Sequence, residues 1–355
     1  MADSPRGLPR RQRCVHRLKA PSLWPDFRAS STLVTPKGTP WVLSALHQAS
    51  SQWSTNCSGG VPTVNIDSHL PAGAELAEGP GGLPVLRLTS QGGSGEVFLY
   101  GAHVVSWAPR GHLPVLWMSD DSRYGEGEPI RGGIPICFPW FNRLPECPPA
   151  PQHGFARIQP WELQEVTEED GRLRAQFRLM DTQLSRASVW PHRFRATYVV
   201  TVGEKLNLAL EVQNRTEVEF EFEEALHTYF AVGDVRVARI RGLTGLDYYS
   251  EDLPGARESS PVRVLDGVSR RYPAATSAII DDAKNHRSIH VSSQGASGAV
   301  LWNPGPVEAA GIPDFTDLGW RNMLCFETCN IGNGRVRLEP GAVHRMSATV
   351  SVSAL

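Results

Sequence analysis

The chain has 355 residues, 41 % apolar and 20 % charged, with a formal net charge of −2, enough apolar material for one large domain or two ordinary ones. The near-neutral balance gives no electrostatic reason to expect nucleic acid or an anionic membrane as partner, and no apolar run is long enough to span a bilayer. Six cysteines, Cys14, Cys57, Cys137, Cys147, Cys325 and Cys329, form no CxxC pair and no disulfide framework, which points to a reducing, cytoplasmic setting.

Residues 1–60 differ from the remainder. They carry eight Lys or Arg, from Arg6 to Lys37, against the two acids Asp3 and Asp26, and are rich in Ser, Pro and Thr. The run "PRRQRCVHRLKAPSLWPDFRASS" has neither strand alternation nor a helical stripe, so it reads as a disordered basic extension. An Arg- and Ser-rich, acid-poor start also has the composition of a transit peptide to a plastid or another organelle. Residues 61–355 read as one β-domain.

The candidate strands follow in chain order. Val97–Trp107 comes first. The stretch "RLRAQFRLM" then sets Leu173, Ala175, Phe177 and Leu179 on one face and Arg174, Gln176 and Arg178 on the other. "FRATYVVTV" and "KLNLALEV" repeat the pattern across a short connection at Gly203-Glu204. Glu217–Phe230, Ser288–Ser292, Ala299–Trp302, Met323–Thr328 and His344–Val352 complete the series. Helical periodicity is nearly absent, and 33 Gly and 28 Pro supply the connections. The expectation is an all-β fold, a large antiparallel β-sandwich with few short helices. "GGSGEV" lacks the Lys and the following helix of a phosphate loop.

Four stretches carry chemistry. In "GEPIRGGIPICFPWF" a lone Arg131 precedes two glycines, which permit close backbone approach, and two prolines that fix the path; the alternatives are a surface arginine before a turn or an anion-binding guanidinium on a rigid loop. In "PQHGFARIQPWEL", Gln152, His153 and Arg157 supply donors and acceptors suited to a hydroxylated anion, or else form a solvated loop. In "NMLCFETCN", strand parity puts Met323, Cys325 and Glu327 on one face; a carboxylate on so apolar a strand is costly unless paired or used, and burial would raise its pKa toward neutral pH. Cys325 and Cys329 match no standard zinc spacing, so no metal is expected. In "EFEFEEALHTYF", Val218, Phe220 and Phe222 form an apolar face. On unbroken parity His227 and Tyr229 lie opposite to it, whereas a bulge at Glu223-Glu224 would turn His227 into the core.

Taken together, "PIRGGIPICFPWF", "QHGFAR…PWEL", "LHTYF", "VLWNPGP" and "MLCFETCNI" occur in an order that resembles the glucose-6-phosphate 1-epimerases, or hexose-6-phosphate mutarotases, of the aldose 1-epimerase superfamily. The resemblance runs from about Val85 to Val352. It implies the galactose-mutarotase-like supersandwich and a cofactor-independent interconversion of the α and β anomers of a hexose 6-phosphate. It also implies His227 as general acid, Glu327 as general base, and Arg131, Gln152 and Arg157 as substrate-binding residues, the arginines holding the phosphate. His153 matches a second histidine that orients the sugar. A small-molecule substrate, no further partner and a monomer are expected. In one place the chain departs from the resemblance: where relatives carry an acid in an "ETDxxY"-like stretch, this sequence reads "DGVSRRYPAA", with Ser269 at that position and Asp266 nearby. The competing readings are mutarotation of unphosphorylated aldoses, a non-catalytic sugar-phosphate sensor, and a glycosidase drawing a carboxylate pair from Glu223, Glu224 and Glu327.

Overall fold

The computed structural model describes residues 70–144, 150–250 and 255–355. The extension expected over residues 1–60 lies outside the described residues, as do Cys14, Cys57 and Cys147.

Alternating burial makes the strands. In Arg172–Met180, Leu173, Ala175, Phe177 and Leu179 are buried while the intervening side chains are at least partly exposed. This strand pairs with Phe194–Val202, which pairs in turn with Leu206–Asn214. The connection between the last two is three residues, Gly203 to Lys205, because Val202 stands opposite Leu206. These strands belong to an eight-stranded antiparallel sheet in the spatial order Arg239–Arg241, Ser277–Asp282, Arg287–Gln294, Val343–Ala354, Leu206–Asn214, Phe194–Val202, Arg172–Met180, Glu162–Glu169. A four-stranded meander, Ala74–Glu78 to His103–Pro109, precedes it in the chain. The remaining large sheet has six strands. It runs Val268–Tyr272, Gly298–Asn303, Met323–Asn330, Glu224–Leu226, Ile136–Cys137, with Tyr229–Ala231 also on Met323–Asn330. Among the described residues only two short α-helices occur, Gln183–Arg186 and Gly305–Ala309, and no helix is long and apolar enough to cross a membrane. The expected all-β antiparallel sandwich is the observed fold.

Two expected strands are divided. Val97–Trp107 is a hairpin: the chain reverses between Gly93–Phe98 and His103–Pro109, with Gly101 and Ala102 at φ 75° and 44°. Left-handed backbone at two successive residues cannot continue a strand. Glu217–Phe230 is cut into Phe220–Phe222, Glu224–Leu226 and Tyr229–Ala231, since its first piece pairs with Val336–Leu338 and the others with Met323–Asn330.

Every residue of Met323–Asn330 is buried. Alternation gives this strand two different faces. Asn330 contacts His344 and the Met346 sulfur, at 3.2 and 3.7 Å, so the even-numbered side chains pack on the eight-stranded sheet. Met323, Cys325, Glu327 and Cys329 therefore turn to the opposite face.

Candidate active site

The sheet register brings His227 to Glu327. Leu226 stands opposite Thr328 and Tyr229 opposite Cys325. The two ladders are in the same register, so no residue is inserted between them and His227 falls opposite Glu327. The chain changes partner at Glu223, yet the alternation survives: Phe222 and Glu224 both touch His344, with ring centroids 6.1 Å apart and a carboxylate–imidazole contact of 2.8 Å. No bulge turns His227 into the core. Its backbone N–H donates to Pro135 O at 3.1 Å, and the Tyr229 N–H to Gly133 O at 2.9 Å, which fastens the segment to the glycine-proline loop. Gly132 and Gly133 do serve close approach, but to the protein's own backbone: a Cβ would lie 2.5 Å from Trp117 O at the first and 2.3 Å from Val104 O at the second, with φ of +110° and +60°.

His227 Nε2 lies 3.4 Å from Glu327 Oε1, with the side chains 8 % and 1 % exposed. His227 Nδ1 and Glu327 Oε2 are buried without a hydrogen-bond partner among the described residues. The imidazole stacks on Tyr229, centroids 4.8 Å apart at 15°, and meets the Trp302 ring edge-on at 6.0 Å. Arg131 reaches the same cluster: it donates to the Tyr229 hydroxyl at 3.2 Å and pairs with Asp314, at 3.2 Å from Nε and 3.1 Å from Nη2. His153, itself in left-handed backbone at φ 63°, sets its ring perpendicular to His227 with 5.5 Å between centroids. Its Nδ1 accepts the Asn142 N–H at 3.1 Å, and the Gln152 amide nitrogen lies 3.3 Å from its Nε2. Arg157 is buried and donates to the Gln152 carbonyl at 2.8 Å.

All six residues singled out in the sequence thus form one connected constellation. The two arginines differ in how their charge is compensated. Arg131 already has a carboxylate partner, whereas Arg157 has no ion-pair partner among the described residues and puts its field on both members of the pair. Burial, reinforced by Arg157 and Arg131, holds His227 down to about 3. Burial drives Glu327 well above the usual carboxylate range, opposed by Arg157. His153 is likewise held well below its ordinary value by burial and then by Arg157. Both directions favour the uncharged forms, an imidazole beside a carboxyl, over an imidazolium–carboxylate pair.

Sequence reasoning did not assign roles to Tyr229, Trp302, Asp314 or Cys325. Tyr229 and Cys325 were legible only by parity with His227 and Glu327. Asp314 gave no local signal, because its partner is 183 residues away. Ser269 is on the site face at its rim: it stands opposite Trp302, which stands opposite Cys325. Asp266 is exposed and precedes the strand Val268–Tyr272, and no contact among the described residues ties it to the pair. A glycosidase carboxylate pair finds no support. Glu223 accepts the Phe141 and Gly332 N–H groups at 3.0 and 2.7 Å, and Glu224 is held by Asn330 and His344 on the other face.

Residues 84–351 match the family described as aldose 1-epimerase. A protein of Salmonella typhimurium, provisionally named a glucose-6-phosphate 1-epimerase, is 35 % identical over 234 residues, covering 65 % of this chain and 77 % of the relative. A protein of Cenchrus ciliaris with the same provisional name is 33 % identical over 282 residues, covering 76 % and 84 %. The crystal structure of a provisionally named mutarotase from Salmonella typhimurium superposes with a TM-score of 0.75 at 29 % identity, over 83 % of this chain and 97 % of that one.

Proposed function

The chain belongs to the aldose 1-epimerase family, and from that premise we propose that it interconverts the α and β anomers of D-glucose 6-phosphate or a closely related hexose 6-phosphate. The observation that carries the reading is the register-locked His227–Glu327 pair, 3.4 Å apart, with one unpartnered polar atom on each side chain. An unsatisfied buried polar atom costs about 1–3 kcal/mol, and sugar hydroxyls and the ring oxygen are groups that would satisfy it. The relatives' provisional names supply the phosphate. The buried Arg157 guanidinium without an acid partner, beside Arg131, supplies a local reason for an anion.

The chemistry needs no net change in the pair. The Glu327 carboxylate takes the proton of the anomeric hydroxyl while the His227 imidazolium protonates the ring oxygen. The C1–O5 bond breaks and C1 becomes an aldehyde. After rotation about C1–C2, the C5 hydroxyl attacks the other face of C1, its proton returns to His227, and Glu327 gives its proton to the new anomeric oxygen. An imidazolium–carboxylate pair and an imidazole–carboxylic acid pair contain the same single proton. Binding a phosphate dianion next to Arg157 and Arg131 offsets the fields that depress His227, and so moves that proton toward the imidazole. Every group involved comes from one chain, so a monomer suffices.

The test follows the optical rotation, or the NMR exchange, of freshly dissolved α-glucose 6-phosphate with the buffer rate subtracted, and repeats it with glucose. Acceleration of the phosphate ester well above that of glucose is expected. No acceleration of either would overturn the enzyme and leave a sugar-phosphate sensor; equal acceleration of both would make the substrate an unphosphorylated aldose.

A further inference from the structure

The sheet that aligns the acid–base pair also adds a thiol to it. Cys325 and Glu327 are two positions apart on Met323–Asn330 and share a face, and His227 lies across from Glu327 on the neighbouring strand. The donor atoms of His227, Cys325 and Glu327 all lie within 4.8 Å of one another, and all three residues are buried. Among the described residues this is the one group of three or more His, Cys, Asp or Glu with donors so close together. It differs from the pairing weighed at the sequence level, since Cys329 takes no part.

The set is nitrogen, sulfur and oxygen, a combination that suits Zn²⁺ or the softer Cd²⁺ and not Mg²⁺ or Ca²⁺. Tetrahedral zinc, with bonds of 2.0–2.3 Å, requires nitrogen and oxygen donors about 3.4 Å apart and a sulfur about 3.6 Å from either. The His227 Nε2 to Glu327 Oε1 distance is already 3.4 Å. Bringing Cys325 Sγ to its place takes at most about 1.2 Å from the 4.8 Å ceiling, within reach of a turn about χ1. Glu327 Oε2 has no hydrogen-bond partner among the described residues, so the carboxylate has bonding capacity to spare. Charge is consistent as well. Entry of the metal releases two protons to solvent, that of the Cys325 thiol and the one held by the His227–Glu327 pair, so thiolate, carboxylate and dication sum to zero beside Arg157 and Arg131.

We propose that His227, Cys325 and Glu327 form a three-donor binding site for a thiophilic divalent cation, Zn²⁺ in the first instance, whose occupation removes the acid–base pair from use and so reversibly inhibits the enzyme. The site needs only these three side chains. The inhibition rests on the catalytic reading above; the binding does not.

The experiment therefore measures the two separately. The full chain, with Cys14, Cys57 and Cys147 replaced by serine, is titrated with Cd²⁺ while the ultraviolet thiolate-to-metal charge-transfer band is recorded, and with Zn²⁺ by calorimetry. Mutarotation is followed in parallel. One cation per chain, a Cd²⁺ band, and Zn²⁺ inhibition reversed by EDTA are expected. Cys325→Ala is expected to lose the band and weaken Zn²⁺ binding at least tenfold; Cys329→Ser is expected to change neither. Cys325→Ser stands in should the alanine variant fail to fold. Absence of the band in the parent, or its persistence in Cys325→Ala, overturns the site. Stoichiometric binding with an unchanged rate overturns the switch. A parent inactive even without metal defeats the catalytic reading alone, and the band then still decides the site.

Discussion

If His227 and Glu327 act as one unit on a single proton, removing both should cost little more than removing either. Glu327→Gln keeps the side chain's volume and its place in a fully buried strand while removing the titrating oxygen. His227→Gln removes the imidazole from the opposite position. A positioned acid or base contributes on the order of 10²–10⁴-fold, or about 2.7–5.4 kcal/mol of barrier at 1.36 kcal/mol per factor of ten. Two independent groups would multiply to about 10⁴–10⁸ in the double variant. The structure argues against independence, because the two stand opposite each other in register, 3.4 Å apart, and ring opening needs both transfers for one bond cleavage. The expected double variant loses about 10²–10⁴-fold, as each single variant does, which is a coupling of several kcal/mol. The assay is anomer exchange of glucose 6-phosphate by NMR, with the uncatalysed rate subtracted and folding of each variant checked by circular dichroism. Multiplicative losses, or a fully active single variant, would refute the unit.

Arg157→Ala should raise KM for glucose 6-phosphate by about 10–150-fold, the worth of one or two charge-assisted hydrogen bonds, and leave mutarotation of free glucose within about twofold. Asp314→Asn should destabilise the fold by about 3 kcal/mol in urea titrations, because it leaves the largely buried Arg131 without its counter-charge; an unchanged midpoint would show that the pair is immaterial. Gly154→Ala should cost at least about 3 kcal/mol, since φ is +74° and the new Cβ would sit 2.0 Å from Phe138 O; a soluble variant with the parent's midpoint would contradict this. Stability should also fall on acidification from pH 6.5. His227 and His103 stay neutral down to about 3 and 4 in the folded state, and unfolded imidazoles protonate near 6.5, so in that window the unfolded chain binds more protons. Each histidine contributes a slope of up to about 1.4 kcal/mol per pH unit, His153 adds to them in the same direction, and Glu327, whose raised value has the opposite sign above about pH 4.5, opposes them. Urea midpoints that do not change between pH 7 and 5 would refute this balance.

What was legible in the sequence was legible because strands alternate. Arg172–Met180 and Phe194–Val202 could be read to the residue, as one face of each is buried and the other wet. The same rule put His227 off the core face, and it held across a change of pairing partner. It failed at Val97–Trp107, where the residues on both sides of a turn are apolar and the reversal rests on two backbone angles. It was silent on Asp314, which reaches the site only through its contact with Arg131. Arg131 and Arg157, alike in the sequence, differ in the structure: Asp314 compensates the charge of Arg131, and Arg157 has no acid partner among the described residues.

The placement of the pair in the middle of a sheet has a mechanical consequence. Met323–Asn330 has Gly298–Asn303 on one side and Glu224–Leu226 with Tyr229–Ala231 on the other, so the backbone carrying Glu327 is hydrogen-bonded along both edges. The His227–Glu327 distance is then set by strand spacing rather than by loop closure, and under the proposed mechanism the sugar comes to a preformed pair. The same rigidity holds a carboxyl and an imidazole where each leaves an atom unsatisfied, at a cost of about 1–3 kcal/mol apiece that a substrate hydroxyl or ring oxygen can recover on binding. A loop-borne pair could relieve that cost by turning toward water. Here it cannot, because a one-residue slip of either strand would send the side chain into the sandwich.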